Sequence, residues 1–130
     1  MNHIAVVAAI IEDGDRFLVT RRQKGVHLEG LWEFPGGKVD DGESHEAALQ
    51  REIREELDAG IAVSDLVLHT THSYPEKTVA LYFYRCSLTS VPRPLLGQEM
   101  QWVSRKDLAG LPFPAADAAL IRQLVESAAR

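Results

Sequence analysis

Residues Gly36 to Leu57 read GGKVDDGESHEAALQREIREEL, a glycine-led turn running into the clearest helical pattern of the chain. Asp40-Asp41-Gly42 is turn chemistry, and Ser44 is placed to cap a helix: its hydroxyl can accept from an unpaired amide of the first turn, while Glu46 favours the positive helix end. Leu49, Ile53 and Leu57 then recur at intervals of four and form one apolar stripe that faces a core. Asp58 to Gly60 end the helix, with Gly60 able to take a left-handed conformation. On the same helix Glu52, Glu55 and Glu56 fall within an arc of roughly 100° beside the stripe, given about 100° of turn per residue. Like charges at these spacings repel by roughly 0.2–0.5 kcal/mol per pair on an exposed helix, and Arg51, able to pair with Glu55, cannot neutralise all three. Such a face is either a solvated charged surface or a cation site. The loop in front, Pro35-Gly36-Gly37-Lys38, favours the second: its glycines let backbone approach a ligand closely, and carboxylate oxygens are the hard ligands that Mg²⁺ prefers.

Working outward, Ile4 to Ile11 is an apolar, β-branched run predicting a buried strand, and Asp13-Gly14 suits a tight hairpin turn into a strand over Arg16 to Arg22. Gln23 to Gly30 reads as a loop, and Trp32-Glu33-Phe34 as a short strand stopped by Pro35-Gly36-Gly37. After the helix, strands are predicted near Ile61 to Thr71, Lys77 to Leu88 and Met100 to Val103, and a last helix from Ala115 to about Ala128 with Leu120, Leu124 and Ile121 inward. Strands, helix, strands, helix is an α/β (α+β) order that predicts a mixed β-sheet flanked by helices.

The chain has 130 residues, the length of one domain spanning 1–130, and its formal charge of −5 opposes a protein that grips a nucleic-acid polymer by neutralising phosphates. A small anionic ligand remains open if cations carry the contact. One cysteine, Cys86, cannot form an internal disulfide; inside an apolar strand it reads as an inert buried thiol, and a cytoplasmic protein is the simplest expectation. The run Ile4 to Ile11 is too short to span a membrane. Trp32, Trp102 and Phe83 read as core, His45 as solvated, and His69 and His72 as facing opposite sides of a strand.

Gly37, five residues, Glu43, seven residues, then Arg51-Glu52-Ile53-x-Glu55-Glu56 resembles the Nudix box, G-x5-E-x7-R-E-U-x-E-E-x-G-U with U aliphatic. Asp58 stands where that pattern has glycine and Ala59 where it has a larger aliphatic residue; Asp tolerates a left-handed cap better than most, so an altered helix end is expected rather than a lost site. Thr20-Arg21-Arg22, Trp32 to Lys38 and Phe113-Pro114-Ala115-Ala116-Asp117 look like the MutT group within that family, and also like a sister group of bacterial pyrimidine nucleotide pyrophosphohydrolases.

The resemblance implies an α/β/α sandwich and a hydrolase that releases a nucleoside monophosphate and pyrophosphate. It implies that Glu52, Glu55, Glu56 and the Gly36 carbonyl bind Mg²⁺, with Mn²⁺ able to substitute, and that the metal holds phosphate oxygens and lowers the pKa of a bound water. By the same resemblance Glu52 is the base, Arg51 positions the carboxylates, Gly37 and Glu43 are structural, and Lys38 reaches a phosphate. Arg22, Phe34, Tyr74 and Asp117 are candidates for the nucleoside, although Asp117 also suits the first turn or N-cap of the last helix. Leu96 stands where MutT relatives often carry another glutamate before a Gly-Gln pair; Glu99 is the only nearby substitute, and the departure favours Glu52 as base. The implied substrates are oxidised dNTPs such as 8-oxo-dGTP, in sanitising the nucleotide pool for DNA repair. The alternatives are CTP, dCTP or modified dCTP and, from another class, a module that senses a nucleotide without cleaving it. The expected partner is a small nucleotide, with no polymer and no membrane, and the protein a monomer or homodimer.

Overall fold

The first strand runs beside a strand far along the chain. In a computed structural model that describes residues 2–127, β1 (Asn2–Asp13) pairs in parallel with β6 (Lys77–Leu88) from Asn2↔Lys77 to Ile11↔Cys86. The other pairings are antiparallel: β1 with β2 (Arg16–Arg21) and β4 (Gly36–Lys38), β2 with β3 (Trp32–Glu33) and β7 (Met100–Ser104), and β5 (Ile61–Tyr74) with β6. The sheet is therefore mixed, in the order β3-β2-β1-β6-β5, with β4 and β7 attached to β1 and β2.

Alternation along β1 and β2 fills two cores. Val7, Ala9, Ile11 and Leu18 point to one face, where helix α1 (His45–Leu57) sets Ala48, Leu49, Ile53 and Leu57 against them. Ala8, Ile10, Phe17 and Val19 point to the other, where Phe83, Trp32, Phe34 and Leu108 meet Leu120 and Leu124 of helix α2 (Ala118–Glu126). Full burial of each Val, Leu, Ile or Phe side chain among them stabilises the fold by about 1.5–3 kcal/mol. Trp102 packs, partly buried, on the α1 side. Cys86 is buried in the same core, and burial pushes its thiol up to about 12.

Several local expectations change. Pro35-Gly36-Gly37 does not stop the chain's pairing: Gly36–Lys38 is itself a strand against Val6 to Ala8. Only glycine fits at Gly36, because a Cβ there would lie 2.0 Å from the Val7 carbonyl oxygen. The first hairpin turns on Gly14-Asp15, with Asp13 still paired to Arg16 and Gly14 at φ +62. At the end of α1 it is Asp58, not Gly60, that turns left-handed (φ 51, ψ 38), donating its N–H to the Arg54 carbonyl at 3.0 Å. The last helical segment begins as a 3-10 turn, Ala115–Asp117, before α2, and an unanticipated 3-10 segment, Arg105–Gly110, precedes it; Ala128 lies outside the described residues.

One buried cation ties these parts together. Arg105 stacks over the Phe17 ring at 4.7 Å, pairs with Glu12 and with Asp15 at 2.8 Å, and donates to the Leu124 carbonyl at 2.9 Å. The ends of the β1–β2 hairpin and α2 are thereby joined through one guanidinium.

Candidate active site

Helix α1 lies over β4, and Ser44 caps it as its position in the sequence suggests, accepting from the Ala47 N–H at 3.1 Å. This fixes the rotation of the helix, with the apolar stripe on the sheet and the acids at its margin. Glu52 reaches β4 directly. A Cβ on Gly37 would meet its carboxyl carbon at 2.4 Å, so the bare glycine leaves the volume the carboxylate occupies.

Arg51 organises this margin. Its Nε and Nη2 donate to the two oxygens of Glu43 at 2.8 and 2.9 Å, Nη2 also donates to the Lys38 carbonyl at 3.0 Å, and Nη1 donates to Glu52 at 2.9 Å. Glu55 stands 3.5 Å away and 59% exposed. The fork-on-carboxylate pair is thus made with Glu43, which also accepts from the Asp40 N–H at 2.9 Å; these bonds hold Glu43 down to about 2. Arg51 is correspondingly pushed up by its bonds to Glu43 and Glu52. Glu52 moves the other way, raised by burial against the pull of Arg51.

Glu56 is the uncompensated acid. Among the described residues it makes no ion pair, and burial, with Glu33 and Glu52 nearby, raises it to about 8. Glu33, on β3, pairs with Arg22 at 2.8 Å and is itself raised by burial. Asp117 lies beyond, 7% exposed and raised to about 7 by burial and then by Glu33. Glu33 therefore influences both the acid helix and Asp117. In the sequence Glu33 stands only within a motif; its usable signal is a carboxylate between two aromatics, Trp32 and Phe34, both buried in the fold.

A cavity of about 330 Å³ touches both regions, with Gly36, Gly37 and Lys38 lining it together with Arg22, Glu33, Phe34, Tyr74 and Asp117 over a floor of Val79, Leu81 and Phe83. Phe34 is a wall of this cavity more than a free platform: it is buried, stacked on Phe113 at 5.4 Å and edge-on to Phe83. His27 meets Tyr74 edge-on at 5.4 Å and Lys77 sits over the same ring at 5.6 Å, two contacts that sequence reading missed because they depend on which loops meet. The Tyr74 hydroxyl is raised by burial and by Asp117. Although Asp117 occupies the N-cap position of α2, its side chain makes no cap hydrogen bond.

Arg21 holds Glu99 at 3.0 Å, and the small cavity beside Glu56 is lined by Leu96 and Gln98. His45 is not simply solvated, because its Nδ1 lies 2.7 Å from the Tyr84 hydroxyl and its ring is 4.4 Å from Tyr82.

Among the described residues no group of three or more His, Cys, Asp or Glu side chains is arranged so that it could hold a metal ion as it stands. The chemistry of the donors fits a divalent cation all the same. Glu52 and Glu56 present hard oxygen atoms that repel one another when ionised, and exposed Glu55, 3.5 Å from Arg51, lies on the same margin of the helix. No helix among the described residues is long and apolar enough to cross a membrane.

Comparison with known proteins agrees with this geometry. A family model described as NUDIX domain matches residues 6–123. The 8-oxo-dGTP diphosphatase of Haemophilus influenzae is 38% identical over 94% of this chain and 91% of its own. The CTP pyrophosphohydrolase of Escherichia coli is 34% identical over 93% and 90%. The solution structure of the E. coli ORF135 protein superposes with a TM-score of 0.87 at 32% identity, covering 100% of this chain and 94% of that one. Nudix hydrolases are generally divalent-metal dependent. Box, sheet and relatives agree, and the chain belongs to the Nudix family as a MutT-like hydrolase.

Proposed function

We propose that this chain is a Mg²⁺-dependent nucleoside triphosphate pyrophosphohydrolase of the cytoplasmic nucleotide pool, releasing a nucleoside monophosphate and pyrophosphate. The observation that carries the reading is the single cavity lined at one side by Gly36, Gly37 and Lys38, beside the Glu52 carboxylate, and at the other by Glu33, Tyr74 and Asp117. A nucleotide would lie there with its phosphates toward α1 and its base toward α2.

Glu52, Glu55, Glu56 and the Gly36 carbonyl would hold Mg²⁺, with Mn²⁺ as a substitute; when bound, the ion supplies charge neutralisation at the phosphates and acidifies water. Glu52, fixed by Arg51, orients the attacking water and takes its proton. Lys38 offers a cation to a phosphate, and Glu43 and Gly37 keep Arg51 and Glu52 in place. Arg22 holds Glu33, and Phe34 walls the base.

The proposed substrates are oxidised purine nucleotides such as 8-oxo-dGTP, as the name of the H. influenzae relative suggests. A second reading, CTP or a modified dCTP, is favoured by Glu33 and Asp117 lining the same cavity, since a carboxylate oxygen accepts from a cytosine amino group. Protonated, as its raised pKa allows near neutrality, Asp117 also donates to a base oxygen. Initial rates on a nucleotide panel with Mg²⁺ in ¹⁸O-water test both readings. Oxidised dGTP should be preferred, with label in one product identifying the attacked phosphorus; a pyrimidine preference of about tenfold, roughly 1.4 kcal/mol, selects the second. Stoichiometric binding without pyrophosphate release at any Mg²⁺ concentration would make the protein a sensor instead.

A further inference from the structure

The end of α1 that carries the acids is held from outside the helix. The main-chain carbonyl of Glu56 accepts from the Leu95 N–H at 2.9 Å and from Gln98 Nε2 at 3.2 Å, and that of Leu57 accepts from the Arg93 N–H at 2.7 Å. Last-turn carbonyls have no partner within their own helix, so the segment between β6 and β7 supplies the missing cap. Gln98 is buried and uses both ends of its amide: Oε1 accepts from the Leu96 N–H at 2.9 Å while Nε2 serves Glu56. The carbonyl of the same Leu96 accepts from Gln23 Nε2 at 2.6 Å, one residue from Arg22. Gly97 permits this fold at φ +74, a conformation that disfavours any side chain.

We propose that Gln98 is a positioning residue for the hydrolysis, fixing Glu56 through its main chain. Through Leu96 and Gln23, it also keeps the acid end of α1 in register with the loop that bears Arg22. The proposal rests on the metal-binding reading of Glu56 given above. What separates it from a plain loop anchor is redundancy. The bonds of Leu95 and Arg93, the Thr89 N–H to the Gly60 carbonyl, and the Gly60 N–H to Ser90 Oγ hold the segment without Gln98. Losing Gln98 therefore leaves the segment attached and removes one of the two bonds at the carbonyl of the acid-bearing residue.

Two substitutions divide the bonds. Gln98→Met removes both at similar length, and Gln98→Glu keeps an acceptor for Leu96 while removing the donor to Glu56. Both should lower kcat about tenfold with KM for the nucleotide within about twofold, and weaken Mn²⁺ binding without nucleotide, read by the spin resonance of free Mn²⁺, by about tenfold. Arg93→Ala, which removes the Arg93–Asp58 ion pair and so loosens the segment away from Glu56, should leave Mn²⁺ affinity unchanged, and Glu56→Gln serves as reference. Unchanged kcat and Mn²⁺ affinity in Gln98→Met, beside a clear effect of Glu56→Gln, overturns the proposal. So does a change confined to KM. No effect of Glu56→Gln on Mn²⁺ overturns the metal-site reading, and the proposal with it. Should Gln98→Met fail to fold, Gln98→Glu, with Leu96 still held, decides by the same readings.

Discussion

Gly37 and Glu52 share one volume: both carboxylate oxygens of Glu52 lie 2.6 Å from where a Cβ on Gly37 would stand. Gly37→Ala must therefore push the carboxylate away from β4 and off the Arg51 guanidinium, while the strand needs no unusual dihedral there. Activity should fall about 10²-fold for a displacement near 1 Å, with little change in thermal unfolding. Steady-state kinetics and a melting curve on the same sample check this.

Glu56→Gln and Glu55→Gln should weaken divalent-metal binding and lower turnover without loss of fold. Because Glu56 titrates near pH 8 in the free protein, metal uptake should release a proton, and affinity should climb as pH rises from about 6 to 8. That climb should flatten in Glu56→Gln. Calorimetric titrations in buffers of different ionisation enthalpy measure the proton count; an unchanged proton count and pH dependence in Glu56→Gln would remove Glu56 from the site.

Asp117 sets a stability trend of opposite sign to the usual carboxylate. Its folded pKa is raised to about 7, so the folded state holds a proton that the unfolded chain has released, and stability should decline as pH rises from about 4 to about 7. Asp117→Asn should abolish that part of the slope in urea unfolding and shift the ratio of rates on oxidised purine and cytosine nucleotides.

Arg105 offers a control remote from the acids. Arg105→Ala strips Glu12, Asp15 and the Leu124 carbonyl of a shared partner and uncovers Phe17, at a cost of about 2–4 kcal/mol after discounting exposed Asp15. Denaturant unfolding should show the loss, with kcat kept well below the melting temperature.

What the sequence discloses about the site follows contact range. Ser44, the Leu49-Ile53-Leu57 stripe and the arc of Glu52, Glu55 and Glu56 obey rules that act over a turn or two of helix, so α1 was readable residue by residue. Gly36–Lys38 looked like a turn because its glycines answer to the Val7 backbone, a neighbour distant in sequence. The role of Glu33 is hidden in the sequence for the same reason. Its weight comes from lying among Arg22, Glu56 and Asp117, brought together only when β3 joins β2 and α2 folds down. His45 gained its tyrosine neighbours through the pairing of β1 with β6 and the seating of α1 on that sheet.

The parallel pairing of β1 with β6 also governs when the enzyme comes into being. Its partners lie about 75 positions apart, a long loop to close before any contact rewards it. On the ribosome, β1 emerges first and has its β2 hairpin partner, yet its other edge stays open until residues beyond Leu88 have left the exit tunnel. The cavity floored by Val79, Leu81 and Phe83 cannot close before then. Helix α1, locally encoded, can form early and wait; assembly of the cleft is a late event of synthesis.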